Sequence, residues 1–375
     1  MPTVCPADGG MPQPLRTDIG VHVPTVPLKL PYNPALDGLR AVAIVLVMLS
    51  HAHVPLFGGA FFGVDLFFVL SGYLITSLLL IEVGNTERID FWRFYRRRFF
   101  RLMPALLAFL AVYCLVAPLL WPDEPDWYMD ALVSALYLAD YGIAFFDLPN
   151  SLLHMWSLSV EEHFYLVWPL VLLVLVRRTP RGQIWCRIFG LFLLAWAWRV
   201  YWVAQDQAFY EIFFRFDTRA TGLLAGSLLA ALVIERPAWF ERARQNVHHG
   251  LWLVLLVPVL MALDWDNMQV MTWAMTVVEL AAVIVLVAVL PRQGLVYDML
   301  NQPLLIKLGQ LSYGVYLWHY PVYRALRAHM DWPAVVLLGS AISIGLAALS
   351  FNTVERWART QRDRAPQRGL QHTSA

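Results

Sequence analysis

Stretches of about twenty predominantly apolar residues recur along almost the whole chain, each long enough to cross the hydrocarbon of a bilayer as a helix. Ala41 to Ser50, Leu66 to Ile81, Leu251 to Leu263 and Val270 to Leu290, with their flanks, are examples. Only 15% of the residues are charged, whereas a soluble surface needs roughly a quarter. The apolar excess therefore faces lipid, and the pattern predicts an all-α polytopic membrane protein. Ten candidate spans fall at about 38–55, 59–81, 102–120, 156–176, 184–204, 218–234, 250–263, 270–290, 308–328 and 333–353.

The segments outside these spans are short. Residues 1–35 contain eight prolines and no apolar core of signal-peptide type, so they read as a disordered tail. Residues 36–356 form one membrane domain, and 357–375 an Arg-rich polar tail. One piece, Ala131 to Phe146, is ambiguous: sixteen residues reach roughly 24 Å as a helix, short of the hydrocarbon core. Charge asymmetry of the loops decides between the two topologies. If this piece does not cross, 23 Lys and Arg lie on one side against 4 on the other; if it does, the split is 13 against 14. It is therefore read as re-entrant or peripheral, with both termini cytoplasmic in a plasma (inner) membrane.

The net charge of +1 gives no field for nucleic acid. Cys5, Cys114 and Cys186 lack the spacing of a metal site or a disulfide framework, so no metal is expected; no tightly bound cofactor is expected either. Function is sought instead in ionisable side chains at membrane depth, which are costly there. Arg40 and His51 lie roughly 16 Å apart along the first span, His51 near the outer end. Asp65 enters the second span from that same side, and Glu161, Glu162 and His163 enter the fourth. Asp217 and Arg219 can pair locally at the start of the sixth span, and His319 falls near the middle of the ninth. Gly222 and Gly226, like Gly59 and Gly63, have the spacing of close helix packing.

Between the second and third spans lies FWRFYRRRFFRLMPAL, which interleaves Arg93, Arg96, Arg97, Arg98 and Arg101 with aromatics. Guanidinium groups suit bidentate phosphate contacts, and aromatic faces can stack a base; an anionic-lipid anchor is the plainer alternative. The polarity of the chain points to an anionic molecule entering at the Arg face and an acceptor reaching the His and carboxylate half.

These stretches, in this order, resemble the membrane-bound acyltransferase-3 family of bacterial O-acyltransferases. The likeness covers about residues 33–356 and rests on LDGLRAVAIVLVMLSHA, GVDLFFVLSGYLIT, FYRRRFFRLMPA, WSLSVEEHFYLVWP, FDTRATGLLAG and LSYGVYLWHYPV. It implies that Arg40 and His51 are essential, that Arg96, Arg97 and Arg98 bind acyl-CoA, and that Glu161 is the first acid of the family's paired-acid motif. The family's usual Gln after those acids is His163 here. The expected activity is transfer of an acyl group, acetyl above all, from acyl-CoA as donor substrate to a hydroxyl of a cell-envelope polysaccharide, glycolipid or other glycan. Some members carry an additional hydrolase-like domain that delivers the sugar; this chain shows none, so a separate acceptor-delivering protein or the membrane domain itself is expected to do so.

The chemistry agrees with that resemblance. Acyl transfer from a thioester to a hydroxyl needs a base, a group that fixes the base, and donors for the developing oxyanion. His51 is the natural base, and Asp65 or Glu161 can bond its second ring nitrogen. Direct attack and a transient acyl-histidine both remain open. Two other readings stand beside this one: an acyltransferase of a small secondary metabolite, and a proton-coupled transporter built on the buried His and acids. The Arg cluster separates them, since a transporter needs no nucleotide-phosphate site on one face.

Overall fold

In the computed structural model, residues 29–180, 182–254 and 266–363 are described, and their regular structure is helical throughout. The elements are α1 (Pro34–His51), α2 (Gly63–Thr86, preceded by the 3-10 turn Gly58–Phe62), α3 (Phe91–Leu120), α4 (Trp127–Ala135), α5 (Ala139–Phe146), α6 (Met155–Arg178), α7 (Ile184–Ala204) and α8 (Phe209–Phe213). They continue as α9 (Phe216–Glu235), α10 (Pro237–Gln245), α11 (Val247–Val254), α12 (Met275–Val289, preceded by the π turn Val270–Ala274), α13 (Leu295–Leu300), α14 (Pro303–Arg327), α15 (Ser340–Asn352) and α16 (Val354–Asp363). Eight of the described helical segments are long and apolar enough to cross a membrane. The chain is thus an all-α, multi-pass membrane protein. At 25 residues, α14 also has the length, with a more polar sequence. The expected span at 250–263 and the two tails lie mostly outside the described residues.

Helix ends depart from the apolar windows for physical reasons. Asn33 caps α1, its side-chain oxygen accepting from the Ala35 amide at 3.2 Å while its Nδ2 donates to the Val289 carbonyl at 3.0 Å. Pro34 follows at the first helical position, where its missing N–H costs nothing. Helix α3 begins eleven residues before the apolar window, because Asp90 caps the Arg-rich stretch by accepting from the Arg93 amide at 2.9 Å. Its 30 residues extend roughly 45 Å, well beyond a hydrocarbon core of about 30 Å, so the Arg-bearing turns project past one edge of the bundle. The described part of the polar tail expected from residue 357, up to Asp363, is helical, and α16 packs along α3.

The interior is built on two close contacts, α1 against α14 and α2 against α9. The second depends on glycine. A Cβ on Gly72 would lie 1.9 Å from the Leu223 carbonyl oxygen, and one on Gly226 1.9 Å from that of Val69. Backbones meet there at a distance no side chain permits.

The ambiguous piece folds as two short helices, α4 and α5, of 9 and 8 residues, neither long enough to cross. Asp130, near its start, accepts from the backbone amides of Asn150 and Ser151 at 2.8 and 2.7 Å and from Tyr113 Oη at 3.2 Å. The excursion therefore leaves and returns at one place. Glu124 adds to the closure, accepting from Ser151 Oγ and pairing with Arg324 at the end of α14.

Candidate active site

His51 sits in the last turn of α1, and the α1–α14 contact places it against His319. His51 Nδ1 lies 2.8 Å from His319 Nε2. His319 Nδ1 in turn lies 2.7 Å from the Tyr316 carbonyl and 3.2 Å from that of Val315. Carbonyls only accept, so His319 carries its proton on Nδ1. For a neutral pair, His319 Nε2 is then an acceptor, His51 Nδ1–H donates to it, and His51 Nε2 is left with a lone pair. Tyr320 meets His51 edge-on with centroids 5.0 Å apart, and His154 stacks on Tyr320 at 4.9 Å. Although these histidines cluster, no group of three or more His, Cys, Asp or Glu among the described residues is arranged to hold a metal ion.

The partner of His51 Nδ1 is therefore a histidine, where Asp65 or Glu161 was expected. Asp65, 1% exposed, is engaged by Arg219 at 3.0 Å instead. Arg219 and Asp217 do not pair locally; Asp217 is held by Arg215, at 2.9 and 2.5 Å, and by Trp198 Nε1 at 2.7 Å. Helical geometry explains the exchange: two residues apart on α9, Asp217 and Arg219 point in different directions, and only Arg219 faces α2. Beside it Arg199 lies 3.7 Å from Glu279, and Thr221 donates to the same carboxylate at 2.5 Å. Two cations and two acids thus form a buried frame across α2, α7, α9 and α12.

Glu161 lies on α6, accepting from Ser71 Oγ and from Tyr165 Oη at 2.8 Å. It lines a cavity of about 900 Å³ that runs from the Arg-bearing end of α3 into the bundle. Arg40, Arg93, Arg97, Arg98 and Arg101 line it too, and its inner part reaches Ser157 and Tyr316. Arg98 has its guanidinium carbon 3.3 Å from the centre of the Tyr165 ring, and its Nε and Nη2 make no hydrogen bond to the described residues. The Tyr316 hydroxyl lies 2.5 Å from Ser157 Oγ and donates to the His154 carbonyl at 2.7 Å. Tyr316 therefore joins the two halves of the site: its side chain bounds the cavity, and its carbonyl fixes His319.

Arg96 does not line this cavity. Its Nη1 and Nη2 donate to the carbonyls of Arg362 and Gln361 at 3.2 and 2.8 Å. His163, the departure from the family pattern, bonds Asp140 of α5 through Nδ1 at 3.0 Å and so holds the 131–146 piece against α6. His154, Tyr316, Glu279 and Arg362 were not singled out in sequence. Glu279 carried a usable signal, an acid inside an apolar window; Arg362 carried none.

A membrane-spanning helical bundle, with an arginine-lined cavity joined through Tyr316 to an interior imidazole pair, has the parts of a membrane acyltransferase. The chain belongs to the family described as "Acyltransferase domain", which it matches over residues 33–351. It is 29% identical over 348 residues to the peptidoglycan O-acetyltransferase OatA of Listeria monocytogenes, covering 86% of this chain and 55% of that protein. It is 32% identical over 347 residues to the O-acetyltransferase OatA of Staphylococcus aureus, covering 88% of this chain and 57% of that one. The chain thus spans little more than half the length of these relatives. No solved structure matches it.

Proposed function

We propose that this chain transfers an acetyl group from acetyl-CoA to a hydroxyl of a cell-wall glycan, with His51 as general base. The observation that carries the reading is that Tyr316 joins the 900 Å³ cavity to the histidine pair: six arginines line the cavity, Tyr316 borders it, and the Tyr316 carbonyl holds His319, which in turn meets His51. Coenzyme A has its phosphates at one end and its thioester at the tip of a long arm, and the cavity offers cations for the first and a path for the second. The glycan acceptor comes from the relatives' names.

In this mechanism His51 Nε2 removes the proton from the acceptor hydroxyl as its oxygen attacks the thioester carbonyl. The tetrahedral intermediate collapses, the carbon–sulfur bond breaks, and the thiolate takes the proton back from His51. His319 keeps His51 Nδ1 protonated and oriented, so that Nε2 remains the basic atom. Glu161 stands on the donor path. Asp65 and Arg219 belong to the frame that holds α2 against α9.

The test is transfer from labelled acetyl-CoA to a soluble peptidoglycan fragment by the purified full chain. His51→Ala should lower turnover by roughly 10²- to 10⁴-fold, the worth of a positioned general base, while donor binding persists. His319→Ala should also lower turnover, and His319→Gln less so, because its side-chain carbonyl can accept from His51. Near-normal turnover by His51→Ala would sink the mechanism. A proton-coupled transporter would bind no acetyl-CoA at all.

A further inference from the structure

The polar C-terminal helix carries a set of contacts that its composition does not announce. Arg362, in the last turn of α16, lines the mouth of the cavity together with Arg93 and Arg97. Arg96 donates to the backbone carbonyls of Gln361 and Arg362, at 2.8 and 3.2 Å, and so fixes the stretch of backbone that carries the Arg362 side chain. One turn before Arg362, Arg359 donates to the Phe351 carbonyl of α15 at 2.9 Å and lies over the Phe351 ring, 4.0 Å from its centre. The helix packs along α3, which carries Arg93, Arg97, Arg98 and Arg101 of the cavity wall.

We propose that α16 completes the donor site: Arg362 is a phosphate-binding residue at the cavity mouth, and Arg96 is a positioning residue that acts through it. The inference rests on the acyl-CoA reading and changes one of its assignments. Of the run Arg96 to Arg98, Arg97 and Arg98 address the ligand, whereas Arg96 holds in place a cation supplied from 266 residues further along the chain.

A double-mutant cycle on acetyl-CoA binding tests this, using the full chain in nanodiscs and thermal unfolding to verify the fold of each variant. Arg362→Ala should weaken binding about ten-fold, as expected for loss of one charge-assisted phosphate contact. Arg96→Ala should weaken it to a similar degree, and the Arg96→Ala, Arg362→Ala pair should be no weaker than either alone, because both remove the same contact. Arg98→Ala combined with Arg362→Ala should instead multiply. Arg362→Lys should recover part of the loss and Arg362→Glu deepen it, which a merely structural helix would not do. Unchanged binding in Arg362→Ala, or multiplying effects of Arg96→Ala and Arg362→Ala, overturns the inference; if Arg98→Ala still weakens binding, the donor reading survives. Absence of acetyl-CoA binding by the unsubstituted chain overturns both.

Discussion

At the scale of single residues, the site is a matter of which nitrogen holds a proton and which guanidinium has a partner. Arg98, on the cavity wall, has donors that make no hydrogen bond among the described residues, and it is stacked on Tyr165 in a way that an ammonium would not reproduce. Arg98→Ala should weaken acetyl-CoA binding by about ten-fold or more, and Arg98→Lys should restore only part of it, as measured by titration of the purified chain. Unaltered affinity would make Arg98 a lipid anchor. The residues themselves were legible in sequence, because an ionisable group inside an apolar window stands out. Their partners were not. His51 meets His319 across 268 positions and Asp65 meets Arg219 across 154, so only the packing of α1 on α14 and of α2 on α9 reveals the pairs. Proximity to the same membrane face made Asp65 look like the partner of His51; the direction of the side chains gave it to Arg219.

At the scale of elements, the closure of the excursion through α4 and α5 sets the direction of every later helix. Asp130 stitches its two ends, and Asp130→Ala should cost about 1.5–3 kcal/mol, the range for hydrogen bonds to a charged group, measured as loss of thermal stability. Protease sensitivity should rise first between residues 131 and 150. Glu124 adds a pH-sensitive clasp. The hydrogen bond from Arg324 is the main cause that holds its carboxyl below the ordinary 4.5, with a further contribution from Ser151. A depressed folded-state value means stability that is present above 4.5 and is lost as pH falls through the folded value. The excursion should therefore loosen below about pH 4.5, and Glu124→Gln should abolish that dependence. If the acid transition is identical in Glu124→Gln, the clasp contributes nothing. The helices themselves were legible because hydropathy over about twenty residues is a strong signal. Their ends were less so, since caps such as Asp90 and breaks such as that between α4 and α5 are set by single polar contacts.

At the scale of the whole molecule, Tyr316 connects the arginine-lined cavity to the histidine pair. The charge asymmetry of the loops predicts a cytoplasmic position for the arginines, and under the proposed reaction donor and acceptor should then act from opposite sides. In sealed right-side-out vesicles, acetyl-CoA in the lumen should support acetylation of an external glycan, and acetyl-CoA added outside should not. A cysteine at Asn267, introduced after removal of the native cysteines, should react with an impermeant reagent from outside only. Labelling of that cysteine from inside alone would mean that residues 131–146 cross the bilayer. Donor acting from the acceptor's own side would end the cross-membrane mechanism while leaving the family assignment intact.

The buried frame of Asp65, Arg219, Arg199 and Glu279 holds two acids and two guanidinium groups, so as ionised pairs it balances to zero. The proposed reaction is balanced as well, since an acyl group leaves outward as a proton passes inward to the thiolate, while the polyanionic carrier stays at the arginines. Nothing in the cycle is then work done by or against the transmembrane voltage. One charge moved through the whole field would be worth about 2.3 kcal/mol per 100 mV, close to a fifty-fold change in rate. Clamping vesicles at different potentials with potassium and valinomycin should leave the acetylation rate flat. A steep dependence would show that the membrane's electrical energy drives the step, and that the thioester alone does not.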